Sequence, residues 1–480
     1  MTTTDSKTTE KPGFRFSDIR GMFGGGQSTL RQFGILGSLI AIILIFQIFS
    51  DGLTLSPGNV INVMQQYSYI LILAIGMVMV IIMGHIDLSV GSVAAFVGIV
   101  VAKSMAEWNF PWWAAIILGI VLGAVVGAWQ GLWVAYVGVP AFIVTLAGML
   151  FFRGANQWIG DSISVPVPKE FVVIGAGYLP EIAIPIPFNV PTLILGVLAA
   201  AWLIFFEWRT RRQQRKMGSE RAPLWVSVVK VTLLCAVILG AALLFGSGRP
   251  GTSFPVSGII LLALVILYSF VTNHTVFGRH IYAVGGNRQA AKLSGVKDRR
   301  VDFFVMMNMS VLAAVAGMIF VARSQASGPQ DGNGWELDAI AAVFIGGAAV
   351  SGGIGTVIGS IIGGLVMAFL NNGMQLLSFG ADTVQMVKGA VLLVAVGIDA
   401  YNKQQGRPSI IGLFSRRKTP GEFGSVETTP IGARAMESAP PAPPTATPTP
   451  PTAPPAASPA AGQTPPAADD SATKEPGSQR

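Results

Sequence analysis

The chain has 480 residues, of which 51% are hydrophobic and 12% charged, and its mean hydropathy is +0.59. That balance excludes a soluble globular domain and describes a polytopic membrane protein. Its net charge of +8 gathers in loops between apolar runs and near the chain ends, which is membrane topology rather than phosphate recognition, so no nucleic acid is expected.

In chain order, residues 1–32 form a polar, Gly-rich cytoplasmic tail carrying Lys7, Lys11, Arg15, Arg20 and Arg31. No signal-type apolar core with a small-residue cleavage site opens the chain, so the first span is expected to be retained. About twelve apolar runs follow, near 33–49, 60–83, 88–102, 112–136, 140–158, 189–207, 225–245, 255–272, 301–322, 339–355, 357–377 and 384–400. A helical crossing needs about 20 residues, so the shorter runs are expected to be tilted, broken or re-entrant, with Gly346–Gly355 the clearest break. The expected fold class is all-α, a helical membrane bundle.

Charge parity orients the runs. With the N-terminus inside, the loops near 84–87, 137–139, 208–224, 273–300 and from 401 onward face the cytoplasm. Both strongly basic loops, 208–224 and 273–300, then lie on one side. The outer loops hold at most one Lys or Arg each: Lys103, Lys169, Arg249 and Arg323. Trp108, Trp112 and Trp113 sit at an outer boundary, as belt aromatics do. The long outer loop 159–188 contains Pro166, Pro168, Pro180, Pro185 and Pro187 and is expected to be irregular. Gly119, Gly123 and Gly127, and Gly355, Gly359 and Gly363, recur every four residues and line faces for close helix packing, a pathway or subunit contact being the other reading. The 403–480 tail is Pro-, Ala- and Thr-rich from about Ala439 and is expected to be disordered.

Enzyme chemistry finds little support. The segment GGIGTVIGS lacks the lysine of a phosphate-binding loop, and there is no HExxH, nucleophile elbow or carboxylate pair in a soluble pocket. Neither a catalytic residue, a cofactor site nor a metal site is expected in this chain. Cys235 is the single cysteine, and the three histidines, His85, His274 and His280, make no metal cluster.

Two strings stand out. The first, NHTVFGRHIYAVGGNRQAAKLSGVKDRR at 273–300, sets six Arg or Lys residues against Asp298. Gly285, Gly286 and Asn287 predict a turn, Arg288–Ser294 a short helix bearing Ala290 and Ala291, and Gly295 its stop. Composition alone leaves a docking helix and a solvated connector equally open. The second is GHIDLSVGS at 84–92, where the Asp87 carboxylate is placed to accept from the backbone of Ser89 or Val90 as a helix N-cap.

The ordered string FGRHIYAVGGNRQAAKLSGV resembles the coupling loop of ATP-binding-cassette (ABC) import permeases for ribose, xylose and related sugars. GHIDLSVGS resembles the signature after the second span of those permeases. LDAIAAVFIGGAAVSGGIG, leading to FLNNG, is a third similar region, and the likeness covers roughly 33–402. It implies a permease domain of ten core spans plus two, the pair around loop 208–224 being the addition, as in the xylose or multiple-monosaccharide branch. It implies a multi-pass protein of the bacterial inner membrane, surrounded by lipid and paired as a homodimer. ATPase subunits that bind ATP and Mg would grip the coupling residues Gly285, Gly286, Asn287, Ala290, Ala291, Ser294 and Gly295. A sugar-binding protein would dock outside. Asp87, Ser89, Asn308, Asn371, Asn372 and Gln375 are pathway candidates, with helix–helix hydrogen bonding as the alternative for the amides. Arg153 and Lys388 lie near span ends and are expected to snorkel, and Arg153–Gly154 to support the outer mouth. Rival functions are a branched-chain amino-acid ABC permease, an ion-coupled secondary sugar transporter, and a membrane scaffold without transport.

Overall fold

A computed structural model describes residues 27–182, 187–216 and 224–404. Expectations for the N-terminal tail up to residue 26, for 217–223 of the first basic loop and for the tail from 405 fall outside the described residues. Each of the twelve apolar runs overlaps a helix. These are α1 (Gln27–Phe49), α2 (Pro57–Ile82), α3 (Val90–Ala106), α4 (Trp112–Leu132, prolonged by a π turn, Trp133–Val137) and α5 (Ala141–Ile159). After a two-residue strand, β1 (Val165–Pro166), come α6 (Lys169–Ala176), α7 (Val190–Lys216), α8 (Leu224–Gly246) and α9 (Val256–His274). Then follow α10 (Val276–Gly286), α11 (Arg288–Leu293), α12 (Asp298–Ser324), β2 (Ala326–Ser327), α13 (Trp335–Ile345), α14 (Val357–Leu376) and α15 (Ala381–Gln404). Among the described residues, seven helices are long and apolar enough to cross a membrane on length and composition alone: α2, α4 with its π turn, α7, α8, α9, α12 and α14.

Of three expectations for irregular segments, one holds and two need correction. The run 339–355 is not one helix: α13 stops at Ile345, so its 11 residues reach only about 16 Å. Gly346–Thr356 continues as irregular backbone before α14 begins, which confirms the break expected at the glycines. The outer segment 159–188 is not wholly irregular, because Pro166 and Pro168 stand ahead of α6 and Pro180 stands after it, leaving Lys169–Ala176 free to coil. The basic loop 208–224 is helical as far as Lys216, an extension of α7 beyond its apolar part.

The core is built around α2 and α12. α2 is buried along most of its length, an all-round apolar helix enclosed by protein, with α9, α12, α13 and α14 packed against it. α12 presents the small residues Ala313, Ala314, Ala316 and Gly317, all buried, which lets neighbours approach closely. The glycine ladder of α4 is the matching face. Gly119 lies against Met318, Gly123 against Ala314, Gly127 against Met307, and Gly131 against Phe303. Their descending order along α12 shows that the helices run antiparallel. Gly359 and Gly363 similarly admit the backbone of Gly346 and Ala342, closing α13 onto α14. Both ladders are therefore packing faces.

α7 and α8 pack on each other, with Gly196 against Ala242, and leave Leu198, Trp202, Leu233 and Val237 exposed. That peripheral placement fits a pair added to a ten-helix core. At one end of the bundle lie α6, the β1–β2 pair (Val165 opposite Ser327) and the start of α13. The basic loop with α10 and α11 occupies the other, hereafter the basic end.

Gly317 sits where any β-carbon would collide with the carbonyl of Ala94 on α3. Gly317→Ala should destabilise the protein by about 1–3 kcal/mol. Gly154→Ala on α5, where nothing lies within 4 Å, should be neutral or gain up to about 1 kcal/mol from helix propensity. Unfolding in detergent measures both, and equal effects would show that the α3–α12 crossing is not tight.

Candidate functional site

The basic end is a chain of capped helices. Thr275 separates α9 from α10, its hydroxyl accepting the N–H of Gly278 at 3.1 Å. α10 runs through Gly285 and Gly286, so the expected turn is confined to Asn287, which has φ −153° and ψ 101°. Asn287 then caps α11, its Oδ1 accepting the Ala290 N–H at 3.0 Å. Ser294 is the C-cap, and Gly295, at φ +86°, supplies the left-handed residue that stops the helix. The helix expected over Arg288–Ser294 is thus present over Arg288–Leu293.

Its faces differ from expectation. Ala291, expected toward a partner, is 6% exposed and packs into the protein's own core. Ala290 faces outward, and so does Leu293, 90% exposed. Gly286 has open space around its missing side chain, whereas a β-carbon on Gly285 would collide with the carbonyl of Ile82 at the end of α2. Gly285, not Gly286, is the position where only glycine fits.

Three of the strings singled out in the sequence meet here in space. The Ile82 carbonyl accepts the Gly353 N–H at 2.8 Å, and Tyr282 donates its hydroxyl to the Gly355 carbonyl at 2.7 Å. Gly352 and Gly353 take φ of +79° and +74°, which bends the loop after α13 onto α10. Beside them is an ion cluster. Arg288 grips Asp302 with two bonds, Nη1 to Oδ2 at 2.6 Å and Nη2 to Oδ1 at 3.0 Å. His85, within GHIDLSVGS, stands 2.9 Å from Asp302 Oδ1, and Asp298 lies 3.5 Å from Arg288.

One helix turn into the bundle is a second polar group. Asp87 is fully buried, and its Oδ1 accepts both the Ser89 N–H at 2.8 Å and the Ser89 hydroxyl at 2.6 Å. Gln130 of α4 donates to Ser89 Oγ at 2.8 Å. Asp87 does not cap α3 directly: Ser89 holds the N-cap position, and Asp87 folds the turn that precedes it. Ser89 therefore belongs to this network, which links the motif to α4.

The remaining candidates disperse. Asn308 accepts from the Tyr268 hydroxyl at 2.5 Å, joining α12 to α9. Asn372 exchanges two bonds with Asn59, at 2.8 and 2.9 Å, joining α14 to α2. Asn371 is buried, its Oδ1 without a hydrogen-bond partner among the described residues, and Gln375 is exposed. Arg153 does not snorkel freely but lies 3.7 Å from Glu336, and Lys388 lies 2.8 Å from Asp338, tying α15 to α13. Asp302, Gln130, Asp338 and Leu293 escaped the sequence reading. An Arg and an Asp 14 positions apart across a turn were the one available signal for Asp302.

A family model described as "Branched-chain amino acid transport system / permease component" matches residues 59–396. "Xylose transport system permease protein XylH" of Haemophilus influenzae is 41% identical over 385 residues, spanning 80% of this chain and 100% of that protein. The XylH of Escherichia coli K12 is 40% identical over 388 residues, 80% of this chain and 96% of its own. The chain belongs to the ribose/xylose-type family of ABC import permeases. "Ribose import permease protein RbsC" of Escherichia coli K12 is more distant, 34% identical over 373 residues, 77% of this chain and 94% of its own. No solved structure matches. The matched residues of the permease take in both polar groups, the two glycine ladders and the α7–α8 pair, while the tail after 404 lies beyond the family match.

Burial pushes the Asp87 carboxyl of the permease up to about 6 from an ordinary 3.8, against the lowering effect of the Ser89 bonds. A raised carboxyl binds its proton more tightly when folded, so the contribution of this group to stability is fully present below about pH 4 and is lost as pH rises through about 6. Lowering pH from 7.5 to 5.5 should therefore stabilise the wild type in detergent. Asp87→Asn, neutral and still able to accept from Ser89, should lose that pH response while matching or exceeding wild-type stability at pH 7.5. A variant unfolded at both pH values would mean that the ionised carboxylate is needed.

Proposed function

We propose that this permease is the membrane subunit of an ATP-driven importer that carries a monosaccharide, xylose or a related pentose or hexose, into the cytoplasm. The basic end is cytoplasmic by the positive-inside rule, with both termini on that side. Counting α13 with Gly346–Thr356 as a single broken crossing gives twelve spans, ten core and two added. Irregular backbone at that depth is tolerable because protein buries it. Two copies would enclose the path at their two-fold axis, with lipid against the remaining apolar faces. The permease performs no hydrolysis: partner ATPase subunits bind ATP and Mg, and a sugar-binding protein delivers substrate on the far side.

The observation that carries this reading is α11. A short helix capped at both ends displays Ala290 and a nearly naked Leu293 at the basic end, within the string that resembles the coupling loop. Closure of the ATPases on ATP would push this helix, and the close backbone contacts at Ile82, Gly285 and Gly353 would pass the push to α2 and to the loop before α14 as a rigid-body motion. A neutral sugar also suits the bundle better than a zwitterionic amino acid. The charged side chains near the far end, Arg153 with Glu336 and Lys388 with Asp338, are already paired with one another.

Leu293→Asp should cut co-purification of the ATPase at least tenfold and bring xylose uptake to background, with normal amounts of permease in the membrane. Lys297→Ala, beyond the helix, should behave as wild type. Radiolabelled xylose, ribose and leucine offered to the reconstituted complex with its binding protein separate the substrates. Uptake of leucine but not sugar would overturn the substrate assignment, and sugar uptake by the permease alone would overturn the importer reading.

A further inference from the structure

The coupling reading leaves open what makes the α10–α11 loop rigid enough to transmit force. α11 has six residues, and so short a helix is not stable alone. The first residue of α11 is Arg288, and its guanidinium spans both oxygens of Asp302 in the second turn of α12. Such two-point pairing fixes orientation as well as distance. The side chain of Asp302 is 5% exposed, so its charge has little access to water. His85 completes the site from a third element, the turn between α2 and α3. Its Nε2 is 2.9 Å from Asp302 Oδ1 and 3.3 Å from Arg288 Nη2. One nitrogen cannot donate to the first and accept from the second at once. The shorter approach assigns the proton to Nε2, donating to Asp302, with the guanidinium merely alongside. Asp302 then accepts three hydrogen bonds, from α11 and from the 84–92 motif, while being carried on the central helix α12.

We infer that Asp302 is a positioning residue for transport coupling, and that with His85 it clamps Arg288 so that displacement of the coupling helix moves α12 and the α2–α3 turn as one body. This deepens the proposed function and rests on α11 being the docking element. Asp302 is buried, whereas the exposed residues of the proposed docking face include Ala290 and Leu293. The clamp and the docking face are therefore separable by mutation.

The test uses the assembled permease–ATPase complex with its binding protein. In Asp302→Asn, which lies off the docking helix, ATPase co-purification should stay within twofold of wild type. In Asp302→Asn and in Arg288→Ala, stimulation of hydrolysis by sugar-loaded binding protein should disappear, and uptake should fall at least tenfold. Hydrogen exchange over 276–293 in the complex should become at least fivefold faster. The double variant should be no worse than Arg288→Ala, because that single change strands the buried Asp302 charge and the double change does not. Arg288→Lys, which keeps the charge but cannot bridge both oxygens, supplies the same readings if Asp302→Asn fails to reach the membrane. Wild-type stimulation and exchange in these variants would overturn the clamp. So would loss of ATPase binding in Asp302→Asn, since the network would then shape the docking face itself. The coupling reading fails separately if Leu293→Asp still retains the ATPase. With that reading upheld by Leu293→Asp, a silent Asp302→Asn condemns the clamp alone.

Discussion

The carbonyl of Ile82 ends a helix buried along most of its length and is left without an intrahelical partner, as every helix end leaves its last carbonyls. Here it accepts the N–H of Gly353 while Gly285 lies directly over it. In a membrane protein, a buried unpaired carbonyl costs several kcal/mol, so this bond constrains all three segments at once. The price of closeness is the side chain at 285. Its absence lets α10 lie flat against the end of α2, and the positive φ of Gly352 and Gly353 lets the loop before α14 turn in beside it. Any motion of α10 must carry this contact or break it.

The same constraint explains the polar residues elsewhere. α13 is too short to cross, and the irregular backbone that follows it is walled by α2, α10 and α14. Charges follow suit: Arg288 with Asp302, Lys388 with Asp338, and Arg153 with Glu336 each join different elements. Such pairs add little net stability, since desolvation consumes most of the Coulomb gain, but losing one partner is costly. They act as register pins between helices whose apolar surfaces alone would slide.

Much of this was legible in the sequence because its signals are local. Apolar run length located a helix at each of the twelve runs, the four-residue glycine spacing located packing faces, and Asn287 and Gly295 bracketed α11 within one residue. What stayed hidden depends on direction or on distant partners. Spacing could not say that Ala291 turns inward and Leu293 outward, because a six-residue helix has no periodicity to phase. Gly285 and Gly286 look alike in sequence, and only the position of Ile82 tells them apart. Asp302 lay inside what reads as an ordinary span, and its meaning needs His85, more than 200 residues earlier.

The peripheral α7–α8 pair shows the limit of that dependence. Its helices bury little against the core, and Ser227 of α8 bonds to Glu207 of α7 at 2.9 Å. The pair satisfies its own backbone and much of its own polarity, as an autonomous helical hairpin in lipid must. It can therefore be attached to the bundle without disturbing α2, α12 or the basic end. Two crossings also return the chain to the side from which it left, so α9 still delivers α10 and α11 to the basic end. The proposed coupling role of that end would depend on this parity, which only an insertion of an even number of spans preserves.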